Sequence, residues 1–126
     1  MNVLDIPVFL GSVRRGRRSP VVAHWLHRRL ESRGVLETAL IDLRELDLPV
    51  MDERLRMRDD PPPGLESLAA RIDRADGLVI VTPEYNSGIP GSVTNALDCL
   101  LPEFQRLPVG VATVAAGGCG GEAGLA

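Results

Sequence analysis

Three stretches of this chain carry residue types suited to holding a small molecule. The first, residues 11–19, combines the Ser12 and Ser19 hydroxyls with Arg14, Arg15, Arg17 and Arg18, just before a helix that Pro20 opens. Free backbone N–H groups and partial positive charge at a helix N-terminus favour a phosphate. One or two arginines suffice to reach it, and Arg14, early in the turn, is the leading candidate. A solvated basic loop is the competing reading. The loop contains neither GxGxxG nor GxxxxGK[ST], which disfavours a dinucleotide loop or a nucleoside triphosphatase.

The second stretch, residues 82–91, follows an apolar run and groups Glu84, Asn86 and the only tyrosine, Tyr85, between Pro83 and Pro90. Amide, hydroxyl and backbone groups beside one aromatic surface suit a flat heterocycle with polar edges. A structural turn accounts for the prolines and glycines but not for that clustering. The third stretch, residues 117–121, is Gly-Gly-Cys-Gly-Gly, where backbone can approach a ligand closely, unless it is simply a flexible linker. No acid–base or nucleophilic set emerges. Cys119 has no defined partner, Glu84 is a lone carboxylate, and His24 and His27 are expected to face water.

Composition narrows the chemistry further. All 14 basic residues are arginine, which excludes a lysine Schiff base and a lysine-dependent phosphate loop. Net charge of −3 and 3% aromatic residues disfavour nucleic-acid binding. Cys99 and Cys119 fit no zinc or disulfide spacing and are read as reduced thiols. No apolar run approaches the ~20 residues of a membrane span, and no secretory leader pattern opens the chain, so a cytoplasmic protein away from membranes is expected.

The elements that must position these loops follow from periodicity. Residues 3–10 read as a buried strand weakened by Pro7, and residues 20–33 as a helix with Ser19 as N-cap, Val22, Trp25, Leu26 and Leu30 as its apolar face, and Gly34 as its left-handed stop. Residues 36–43 form a second strand, and residues 46–63 a polar surface connection with four prolines. Residues 65–75 form a helix buried through Leu65, Leu68, Ala69 and Ile72. Residues 77–82 form a continuously apolar strand that must be covered on both faces, residues 92–101 a helix, and residues 109–114 a fourth strand. Repeated strand–helix units predict a single doubly wound α/β domain over residues 1–126, with ligands beyond the carboxyl ends of the strands.

At these residues the sequence resembles the NADPH-dependent FMN reductase family, flavodoxin-like proteins that include quinone, chromate and azo-dye reductases. The resemblance is collinear along the chain. It rests on Gly11-Ser12-Val13-Arg14 with Ser19, on Pro83-Glu84-Tyr85-Asn86 followed by Ile89-Pro90-Gly91 and Asn95-Ala96-Leu97-Asp98, and on the late glycine loop. The second block is the specific one.

The resemblance implies a flavodoxin-like sheet of order 2-1-3-4-5, with FMN phosphate held by Ser12, Arg14 and Ser19. It implies a flavin ring against Pro83, Glu84, Tyr85 and Asn86, with its pyrimidine edge near Gly117 and Gly118. Hydride would pass from NADPH or NADH through the flavin to a small acceptor such as a quinone, metal oxyanion or azo compound, in a homodimer or homotetramer. Such chemistry needs no catalytic side chain. The chain departs from the pattern at Arg17, where many members carry serine, at Ser19, often asparagine, at Cys99, often aromatic, and at Thr94, usually lysine. Only four strands are expected here, so the domain reads as C-terminally incomplete. A flavodoxin-like electron-transfer module and an inactive truncated fragment are the alternatives.

Overall fold

Four consecutive apolar residues, Leu78 to Val81, cannot divide themselves between a core and water. The computed structural model, which describes residues 2–125, places them at the centre of a parallel sheet. In chain order the strands are β1 (Leu4–Asp5), β2 (Val8–Leu10), β3 (Leu36–Glu37), β4 (Leu40–Asp42), β5 (Leu78–Pro83) and β6 (Val109–Val114). The helices are α1 (Ser19–Glu31), α2 (Leu43–Leu46), α3 (Pro63–Asp73) and α4 (Gly91–Cys99). The main sheet runs β4-β2-β5-β6, every pair parallel, and β1 pairs with β3 beside it. Numbered as the four expected strands, this is 2-1-3-4, the first four places of the expected order.

Alternation along the central strands feeds two cores. Phe9 on β2, with Leu78 and Ile80 on β5, packs with Leu65, Leu68 and Ile72 of α3 and with Val93 and Ala96 of α4. Val8, Leu10 and Val81 point the other way, onto Ala23, Val22, Leu26 and Leu30 of α1. The sheet is therefore covered on both faces, which is the doubly wound arrangement expected. Outer strand β6 is less covered: Val109 and Val111 are about half exposed.

Several boundaries differ from the sequence-based expectation. The first strand is interrupted at Ile6-Pro7, and the second breaks at Thr38-Ala39, yielding β1/β2 and β3/β4. Ile6 N–H donates to Glu37 O and Val8 N–H to Ala39 O, both at 2.8 Å, so the missing donor of Pro7 falls on the side facing β5. Pro7 O still accepts from Val79 N–H at 3.0 Å. Trp25 does not join the apolar face of α1 but is 58% exposed, and Ala23 occupies the buried position instead. The third helix starts at Pro63 and stops at Asp73, two residues ahead of the expected span at each end.

The 46–63 connection is not merely surface loop, because Leu46, Leu48, Met51 and Leu55 pack against the α3/α4 core. Asn95 on α4 clamps it: its amide donates to Pro49 O at 2.8 Å, and its carbonyl accepts from Met51 N–H at 2.7 Å. Gly34 does adopt the left-handed region expected of it, at φ 68°, and its N–H reaches Glu31 O.

Between α4 and β6, Glu103 is buried and accepts from Leu101 N–H at 3.1 Å and from Arg56 Nε at 3.3 Å. Burial pushes its carboxyl up, but hydrogen bonds from its own and Leu101's backbone N–H groups and from Arg56 prevail and hold it below the ordinary value. A depressed folded-state pKa means stability that is complete above the unfolded-state value of about 4.3 and lost as pH falls through the folded value. Glu103→Gln is expected to cost about 1.5 kcal/mol at neutral pH, the lower end of the roughly 1.5–3 kcal/mol that hydrogen bonds to charged groups contribute, because the amide keeps one acceptor oxygen. Urea midpoints of wild type and variant should converge between pH 7 and pH 3, and a gap independent of pH would refute the assignment.

Candidate flavin site

The carboxyl ends of β2, β5 and β6 open onto a cleft of about 690 Å³, lined among others by Ser12, Arg14, Ser19, Pro83, Glu84 and Tyr85. Thus six of the site residues expected from sequence come together although they lie in two segments far apart in the chain. On the β6 side the lining residues are Val114, Ala115 and Ala116. Asn86, Gly117 and Gly118 are not among them.

Loop geometry explains why each group sits where it does. Gly11 N–H donates to Val81 O at 2.9 Å, and Ser92 Oγ donates to Gly11 O at 2.6 Å, so the loop leaves the sheet pinned to both β5 and α4. Ser12 is buried, and its hydroxyl shares a 3.2 Å hydrogen bond with the Tyr85 hydroxyl across the cleft. Tyr85 is held in turn by a two-residue turn in which Tyr85 and Gly88 exchange N–H···O bonds of 2.9 and 3.1 Å. The central residues Asn86 and Ser87 have φ of 52° and 58°, the mirror-image turn that joins antiparallel neighbours. Asn86 thus has a backbone reason to be there, because asparagine tolerates the left-handed region.

The glycine loop folds back as successive turns. Gly121, at φ 85°, leaves no room for a Cβ, which would lie 2.7 Å from Thr113 Cβ. Thr113 Oγ1 donates to Gly120 O and fastens the loop to β6. Gly117 and Gly118, by contrast, face open space.

Ser19 is not the N-cap of α1. That position belongs to Arg18, and Ser19 lies one residue inside the helix, next to Pro20. Its hydroxyl is buried and has no hydrogen-bond partner among the described residues. The first turn of α1 contains no acidic residue, so nothing in that turn neutralises its positive end. Arg14 lines the same cleft, and its guanidinium donates to Gly16 O at 3.0 Å. A cleft wall with an orphaned buried hydroxyl, a free helix N-terminus and a cation fits an anion carrying several acceptor oxygens.

Sequence reasoning gave Arg17 no partner and missed Asp42. Arg17 donates to both Asp42 carboxylate oxygens, at 2.6 and 2.7 Å, and to Ser12 O at 2.8 Å. Burial pushes the Asp42 carboxyl up, but the bonds from Arg17 and Arg44 N–H outweigh it and hold the group below its ordinary value; the same pairing raises Arg17. The remaining candidates stand apart from the cleft. His24 is exposed, His27 is half-buried beside Glu31 at 3.8 Å, Cys99 is buried with its thiol pushed up by burial, and Cys119 is exposed. Both cysteines are free.

A family model described as NADPH-dependent FMN reductase matches residues 4–125. The chain belongs to that family. It is 37% identical over 105 residues to a quinone reductase of Escherichia coli strain K12, covering 83% of this chain and 52% of that protein. To an NADPH azoreductase of Bacillus sp. strain OY1-2 it is 33% identical over 119 residues, covering 94% of this chain and 62% of the relative. Among solved structures, FerB, a flavoenzyme NAD(P)H:(acceptor) oxidoreductase from Paracoccus denitrificans, superposes with a TM-score of 0.80 at 29% identity, over 96% of this chain and 66% of FerB. The fold is flavodoxin-like. The chain spans about half to two thirds of the length of these relatives. Among the described residues no helix is long and apolar enough to cross a membrane.

The unpartnered Ser19 hydroxyl yields a prediction with two opposite signs. An unsatisfied buried hydroxyl costs roughly 1–3 kcal/mol, and alanine is the better helix former. Ser19→Ala is therefore expected to raise the thermal midpoint of the flavin-free chain while weakening its affinity for an FMN-type phosphate severalfold. Calorimetry and flavin titration on the same preparation check both signs. A destabilised variant would show that the hydroxyl is satisfied in the free protein.

Proposed function

We propose that this chain is the flavin-binding part of an NAD(P)H-dependent oxidoreductase that uses FMN and passes reducing equivalents to a small acceptor such as a quinone, metal oxyanion or azo compound. The observation that carries this reading is the buried, unpartnered Ser19 hydroxyl in the first turn of α1, in the cleft that Arg14 and Tyr85 also line. Bound FMN would supply the redox centre, taking hydride from a nicotinamide and handing electrons on. The protein's part is binding and orientation. Ser12, Arg14, Ser19 and the first-turn N–H groups hold the phosphate. Pro83, Glu84, Tyr85 and Asn86 flank the ring, and Gly117 and Gly118, which follow the lining residues Ala115 and Ala116, serve its pyrimidine edge. Membership of the family and the names of the relatives support the cofactor and the acceptor class. A cytoplasmic homodimer or homotetramer completes the reading, and sedimentation of the purified protein tests the assembly.

Anaerobic titration with FMN and then NADPH tests the function. Uptake of FMN followed by bleaching of the flavin band is the expected result. Uptake without bleaching would assign the chain to an electron-transfer module, and failure to take up FMN would refute the flavin reading altogether.

A further inference from the structure

Arg17 lines the same cleft as Arg14 and Ser19, yet its guanidinium is already committed. Two parallel bonds to Asp42 and a third to Ser12 O use both terminal nitrogens, and the paired side chains are only 14% and 10% exposed. Asp42 is fixed independently. It stands opposite Leu10 in the β2–β4 register and caps α2 by accepting from Arg44 N–H at 3.0 Å. The pair therefore ties the distal end of the 11–18 loop to the end of the neighbouring strand, and the bond to Ser12 O ties that end back to the loop's start. Turning Arg17 onto a phosphate would strand a largely buried Asp42 carboxylate, which is the costly way to break such a pair.

We propose that Arg17 and Asp42 form a clasp that shapes the phosphate loop before the ligand arrives, so that Arg17 acts as a positioning residue for Ser12 and the loop N–H groups rather than as a phosphate contact. The proposal rests on the flavin reading for its ligand but not for its structural core. A loop already ordered loses less conformational freedom on binding, so the gain appears only for ligands that engage it.

The test compares wild type, Arg17→Gln, Asp42→Asn and the double variant, measuring dissociation constants for FMN and for riboflavin, which lacks the phosphate. Amide exchange of residues 11–18 is followed in the flavin-free proteins. Each single variant is expected to weaken FMN about tenfold, the scale of one charge-assisted hydrogen bond. The double variant should be no worse than the weaker single one, riboflavin affinity should be unchanged, and loop amides should exchange faster in both single variants. If Asp42→Asn leaves FMN binding intact or tightens it while Arg17→Gln weakens it, Arg17 touches the phosphate directly and the clasp is overturned. Equal losses for FMN and riboflavin would reduce the pair to general fold stability, also overturning it. If wild type binds neither flavin, the flavin reading fails, and the exchange data alone decide the clasp: faster loop exchange in Asp42→Asn supports it, and unchanged exchange overturns it.

Discussion

Replacing Gly64 with alanine is expected to destabilise the fold by roughly 3 kcal/mol, toward the upper end of what overpacking a well-filled site costs. Gly64 is the second residue of α3, and a Cβ there would lie 2.2 Å from Leu46 O, 3.1 Å from Leu46 C and 3.4 Å from Leu46 Cα. These are backbone atoms at the end of α2, so no side-chain rotation relieves the clash. Helix propensity works in the other direction, favouring alanine by at most about 1 kcal/mol. Sterics win because the two helices must separate to admit the methyl group, and that separation opens the Phe9, Leu65 and Leu68 core beneath them. Against a total stability of about 5–15 kcal/mol, the loss should be plain in urea unfolding followed by circular dichroism. An unchanged or raised midpoint would mean that α2 and α3 do not pack as described.

Arg14→Ala carries the largest expected effect on binding. Hydrogen bonds to charged groups contribute roughly 1.5–3 kcal/mol, so FMN affinity should fall about ten- to a hundredfold. Riboflavin affinity should hold if Arg14 meets the ligand at its phosphate, as proposed, because riboflavin lacks that group. The loss stays partial: Ser12, Ser19 and the N-terminus of α1 remain in place, and Arg14 is exposed, so water and salt screen its charge. Raising ionic strength should narrow the difference between wild type and variant. Equal affinity of the two proteins for FMN in low salt would remove Arg14 from the site.

How much of this was readable in advance depends on the range of the forces concerned. The uninterrupted Leu78–Val81 run and the Leu65, Leu68, Ala69, Ile72 spacing announce a strand covered on both faces and a helix buried along one, and both are found. Trp25 matched the helical spacing equally well and is nevertheless exposed. Periodicity identifies a stripe but does not say how wide the facing sheet is, and here Ala23 fills the close contact that a tryptophan would overfill. In the 46–63 connection, four prolines and many charges mask Leu46, Leu48, Met51 and Leu55, whose burial depends on the distant clamp of Asn95.

The site divides in the same way. That Ser12, Arg14, Ser19 and the Pro83-Glu84-Tyr85 block converge on one cleft was legible because strand ends, turn residues and a helix start are local features, and they gather at the strand carboxyl ends. That Ser19 lies inside the helix with its hydroxyl unpartnered was not legible, since a one-residue shift of the helix start turns a cap into an orphan.

The sequence by itself determined the layered α/β plan and the convergence of the 11–19 and 83–85 segments on one cleft, because these follow from short-range periodicity and turn chemistry, and its motif spacing carries the family resemblance. Only the tertiary structure decided which of four neighbouring arginines is free and which is committed. Arg14 and Arg17 are chemically identical, three residues apart and line the same cleft, but the β2–β4 register brings Asp42 against the second. Charge pairing is settled by distance in space, and a separation of 25 residues along the chain carries no trace of it.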